Sequence, residues 1–167
     1  MLRGDRKTFG VTAAAILIGF LPSLSIACSG RDLFKVSVTE PEKDFSGLTV
    51  SQGLAGHVWF WEGDFQPGAA SGTIQPVERW IVVFPPVDSS QLTEGSQPGF
   101  FSEVQSLAVD SVRSDSTGFY QIDLPPGGFA VFVREGLEFY FNGTNSVSIQ
   151  PDSVSRLHIN IDYLAAW

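Results

Sequence analysis

Across 167 residues the chain has a single cysteine, Cys28, and two histidines, His57 and His158. With no second cysteine there is no internal disulfide, so the fold must rest on its apolar core. No GxSxG elbow places a serine nucleophile. A Ser/His/Asp triad can therefore be assembled only on paper, and a hydrolase has nothing to mark its site. Positive charge is also scarce, with Lys+Arg 10 against Asp+Glu 18 and a net charge of -8. That balance argues against nucleic acid and against charge-driven binding to anionic lipid heads. Long apolar runs are missing as well, because Gly19 and Pro22 interrupt "VTAAAILIGFLP" before the roughly 20 residues that a bilayer span requires. Metal ligands are sparse. His158, Asn160 and Asp162 step along one side of a candidate strand as an ordinary solvated face, and "DSVRSDSTG" lacks the dense acidic spacing of a calcium loop. No metal and no cofactor are expected.

The N-terminus reads as an export signal, with Arg3, Arg6 and Lys7 ahead of the apolar segment and the small residues Ser25 and Ala27 before Cys28. "LSIAC" resembles a bacterial lipobox. The resemblance implies cleavage after Ala27 and a diacylglycerol thioether on Cys28, each buried methylene contributing about 0.8 kcal/mol to membrane attachment. The competing reading is ordinary cleavage that leaves a free thiol. Ser29, where an acidic inner-membrane retention residue would stand, points to the outer membrane. Removing residues 1–27 takes away Arg3, Arg6, Lys7 and Asp5, so the remainder is more acidic still.

Three segments are expected: a signal peptide over 1–27, a tether over 28–52 and a folded domain over 53–167. As a flexible coil the tether would reach about 25 to 30 Å, though "LFKVSV" within it alternates like a short strand. The domain is all-β, a Greek-key β-sandwich of seven to eight short strands. They are rich in β-branched and aromatic residues and start near His57, Arg79, Leu107, Phe119, Phe129, Leu137, Ser146 and Arg156. Tyr120, Ile122 and Leu124 alternate with Gln121 and Asp123. Leu157, Ile159, Ile161 and Tyr163 alternate with His158, Asn160 and Asp162. "WFW" and "WIVVF" are apolar on both faces, as strands covered on both sides or exposing a recognition surface would be. Glu62–Glu78 and Pro85–Gln105 are expected as long loops, with a helical turn in "GFFSEVQ".

"SDSTGFYQIDLPPGGFAVFVREG", Ser114 to Gly136, resembles the carboxypeptidase regulatory-like domain family. It carries Asp115 and Gly118 in a tight turn, Phe119 and Tyr120 entering a strand, and Pro125, Pro126 and Gly127 at a corner. "GHVWFWEGDFQPG", "QPVERWIVVF" and "INIDYLAAW" are similar to other strands of an exported bacterial branch. The resemblance implies a transthyretin-like sandwich and a binding or scaffolding role. Two other activities hosted by such sandwiches do not fit. The terminus "LAAW" and the histidines do not match the hydroxyisourate hydrolases, and paired Tyr and His iron ligands of ring-cleaving dioxygenases are not visible.

Aromatic residues carry the remaining functional signal. His57, Trp59 and Trp61 share one side of a strand, with Val58 and Phe60 on the other, and Trp80 stands on a neighbouring candidate strand. These four form the candidate binding face, since tryptophans stack on sugars or anchor protein partners; the bland reading is that they fill the sandwich. The expectation is a non-catalytic, membrane-anchored lipoprotein that binds or scaffolds in the bacterial cell envelope, with an unknown envelope protein or glycan as partner. A carbohydrate-binding or adhesion domain is the alternative.

Overall fold

The computed structural model describes residues 43–68 and 71–167. The expected signal peptide, Cys28 and the tether through residue 42, including "LFKVSV", lie outside the described residues. Within them the chain is all-β, as its alternation requires, and folds as two packed sheets. The strands are β1 (Gly53–Asp64), β2 (Thr73–Pro76), β3 (Trp80–Phe84), β4 (Leu92–Glu94), β5 (Phe100–Val104), β6 (Asp110–Arg113), β7 (Phe119–Asp123), β8 (Gly127–Glu135), β9 (Glu138–Tyr140), β10 (Ser146–Ile149), β11 (Val154–Arg156) and β12 (Ile159–Ala166). Twelve strands replace the expected seven to eight, mainly because both presumed loops carry short strands. β2 lies in the first, and β4 and β5 lie in the second. "GFFSEVQ" is strand, not helix, because Phe100 turns into the core and pairs with Tyr140, and Phe101 pairs with Phe139.

β1 organises the smaller sheet. On one side it pairs parallel with β11 and then β12; on the other it pairs antiparallel with β7 and then β2. The join between β11 and β12 presses the Leu157 carbonyl onto Gly56. There a Cβ would stand 1.7 Å from the Leu157 oxygen, so a side chain is excluded. The Tyr120 hydroxyl donates to the same carbonyl at 2.7 Å, and the Leu157 amide donates to Ala55 at 3.0 Å. Burial pushes the Tyr120 phenol well above its ordinary range and keeps it a donor.

The larger sheet runs β4-β5-β9-β8-β3-β6, with β10 also pairing β8. Leu54, Val58 and Phe60 of β1 meet Ile81, Val83, Val131 and Val133 of the larger sheet across the core. Tyr120, Ile122 and Leu124 are buried on the same side, as are Ile159 and Ile161, which matches the period-2 pattern. The larger sheet has a second apolar cluster on its outer face. Val82, Phe84, Val104, Ala130 and Phe132 are buried there, with Phe141 stacked on Phe132 at 4.6 Å. "WIVVF" is thus covered on both faces except at its first residue.

The Asp115–Gly118 turn closes as its sequence requires. The Asp115 carboxylate accepts from the amide and hydroxyl of Thr117 at 2.8 and 2.7 Å and from the Phe119 amide at 3.1 Å. The carbonyl of Gly118, whose φ is 77°, accepts from the Val58 amide at 2.9 Å, tying the turn to β1.

Candidate functional site

The four candidate side chains do not share one face. His57, Trp59 and Trp61 point outward from the smaller sheet, whereas Trp80 stands on the outer face of the larger one. His57 and Trp59 are 2% and 5% exposed, and Trp61 is half-buried. This corrects the expectation of a single binding face. An alternating pattern tells which residues share a side, but not what is packed against that side.

Part of the cover comes from the segment assigned to the tether. Phe45 meets the rings of His57 and His158 edge-on at 5.3 and 5.7 Å, and the Arg156 guanidinium lies 4.5 Å from the Phe45 centroid. Gln121 holds the same segment. Its Oε1 accepts from the Thr49 and Val50 amides at 2.7 and 3.2 Å, and its Nε2 donates to the Gly47 carbonyl at 3.0 Å. Residues 43–52 therefore lie on the sandwich. Further along β1, Trp61 packs on Phe65 and Trp167, at 5.1 and 5.5 Å.

The structure brings the two histidines together, which their separation in sequence concealed. The parallel register Val58↔Ile159 sets His57 beside His158, their rings stacked at 5.5 Å. Trp59 also stacks with His57 at 5.5 Å, with only 7° between the planes. Burial holds the His57 imidazole below its ordinary range. The charges of Asp115 and Asp44 and a backbone hydrogen bond at Asp44 oppose that shift, and Lys43 reinforces it. Among the described residues, His57 Nδ1 and the buried indole nitrogens of Trp59 and Trp61 have no hydrogen-bond partner. The Asp115 carboxylate lies below its usual range. Burial works against its charge, but the Thr117 and Phe119 hydrogen bonds and His57 outweigh it.

Asp162, placed by its spacing with His158 and Asn160, is engaged by the Tyr140 hydroxyl. Among the described residues no three His, Cys, Asp or Glu side chains gather as a metal site.

Trp80 belongs to a different constellation, one that sequence spacing did not assemble. It lies directly opposite Arg113 on β6 and Arg134 on β8. Arg134 in turn lies opposite Phe139, and Phe139 opposite Phe101. Val112 and Val133, which precede the two arginines, face the inner core, so Arg113 and Arg134 stand on the outer face with Trp80. One rung of the larger sheet thus reads Arg113, Trp80, Arg134, Phe139, Phe101. Trp80 is 50% exposed. The Arg134 guanidinium lies 5.3 Å from the Phe139 centroid, and among the described residues it has no carboxylate partner. Arg113 pairs with Glu78 at 3.0 Å on the surface. Trp80, Val82, Ser111 and Arg134 line an open hollow of about 360 Å³. The signal for this row was the exposed end of "RWIVVF". Its partners come from strands 30 and more residues away and have no mark of their own.

A comparison with protein-family models, with curated proteins and with solved structures finds no match to the chain.

Proposed function

We propose that the chain is an exported bacterial lipoprotein whose β-sandwich acts without catalysis, as a binding module of the cell envelope held to the membrane by acylated Cys28. The leader and "LSIAC" support the anchor, and Ser29 supports the outer membrane as its location. The resemblance of Ser114–Gly136 to carboxypeptidase regulatory-like domains supports a binding or scaffolding role. The observation that carries the binding reading is the outer rung of the larger sheet. A half-exposed tryptophan between two arginines is the composition of an interaction anchor, since Trp and Arg dominate the residues that contribute most to binding.

Two measurements test this. Expressed in a bacterium with an outer membrane, the wild-type chain takes up labelled palmitate and Cys28→Ala does not; a mature chain with an unmodified cysteine removes the anchor from the proposal. The purified protein is retained saturably on delipidated envelope fractions, and Trp80→Ala abolishes retention. Retention equal in wild type and variant, or absent in both, overturns the binding reading.

A further inference from the structure

We infer that the rung Arg113–Trp80–Arg134 binds an acidic glycan, a polysaccharide whose sugar rings carry carboxylates. This rests on the binding-module reading above and names the ligand class of that same surface.

Three properties of the rung select this ligand. Trp80 presents an indole, half exposed on the outer face of the sheet, and the apolar face of a sugar ring stacks on such a surface. On both sides of it, one strand away, stands an arginine, whose planar fork donates two parallel N–H bonds to a carboxylate. Directly opposite residues in neighbouring strands lie about 4.5 to 5.5 Å apart, so one sugar and its carboxylate can engage indole and guanidinium together. The hollow beside them, about 360 Å³, falls within the size range of small-ligand sites.

The surroundings argue against other ligands. β3 is paired on both sides, with β6 and with β8, so an acidic peptide cannot add to it as a strand; β6 ends the strand order, and a peptide added there is the polyglutamate outcome of the test below. Nucleic acid and anionic membranes require many phosphate contacts from a basic surface, and this chain carries a net charge of -8. The same net charge does not repel an acidic sugar at contact range. At physiological salt the screening length is about 8 Å, so distant carboxylates are damped while Arg134 acts directly. Arg134 is the cation to expect at the carboxylate, because Arg113 already shares its charge with Glu78.

The test uses the full chain in non-ionic detergent, with polygalacturonate as the acidic probe and its methyl ester as the neutral one, titrated by calorimetry at 0.15 M salt. The expected result is binding to polygalacturonate and weak or no binding to the ester. Trp80→Ala and Arg134→Gln should each weaken binding about tenfold or more, with the thermal midpoint little changed, because both side chains are exposed and Arg134 gives up only surface contacts to the Phe139 ring and the Gly136 carbonyl. Arg134→Lys should restore part of it, since it keeps the charge and loses the fork. Equal binding of acid and ester, no binding of either, or binding insensitive to both variants overturns the inference. So does equal, Trp80-dependent binding of polyglutamate. Envelope retention that depends on Trp80 without polygalacturonate binding removes the acidic glycan alone and leaves the binding module standing.

Discussion

The imidazoles of His57 and His158 stack 5.5 Å apart, although about a hundred residues separate them in the chain. Because burial lowers the affinity of His57 for a proton, the unfolded chain binds that proton more readily than the folded one. Stability is therefore full above the ordinary imidazole range, near pH 6.5, and declines as the pH falls through the lower folded value. Urea midpoints measured from pH 8 to pH 5 should fall over this window, and His57→Gln should flatten the decline. An unchanged slope in the variant would assign it to other groups.

The rings of β1 and β3 should separate by cost. Trp59→Ala and Phe60→Ala each remove a buried ring from opposite faces of β1 and should lose about 3 to 5 kcal/mol. Trp80→Ala removes a half-exposed ring and should stay within about 0.5 kcal/mol. Guanidinium denaturation of the three variants measures this directly; a large loss for Trp80→Ala would mean the outer face is structural.

Gly56→Ala should be among the most damaging single changes. Its new Cβ would overlap the Leu157 oxygen, at 1.7 Å, and displace the carbonyl that accepts from Tyr120. The expected loss exceeds about 4 kcal/mol. Gly136→Ala serves as the control. There the φ of 62° is strained for alanine but space is open, so about 1 to 2 kcal/mol is expected. Comparing their thermal midpoints separates collision from backbone strain.

Asp115→Ala leaves the Thr117 and Phe119 amides without their acceptor and should cost about 1 to 3 kcal/mol. Asp115→Asn should cost less, because its amide oxygen can occupy the position that takes all three of these bonds. Equal losses in denaturant midpoint would show that the charge, rather than the acceptor, holds the turn.

Much of this architecture is written locally. Period-2 alternation in "FYQIDL" and "RLHINIDY" marked which residues enter the core, and Asp115 with Gly118 marked a turn, because strand facing and turn chemistry depend on neighbours a few residues apart. The short strands β2, β4 and β5 carry no such local mark. Three to five residues among Gly, Pro and Ser hold no recognisable period, and their pairing with distant strands makes them strands. The same limit applied to function. That His57, Trp59 and Trp61 share a side was legible from the sequence, as was the apolar character of "WIVVF". Which side is covered is settled by contacts across the chain: Phe45 lies over His57 on the smaller sheet, while Trp80 on the larger sheet stays half exposed. The alignment of Trp80 with Arg113 and Arg134 likewise comes from register between strands, which long-range pairing determines and local pattern cannot encode.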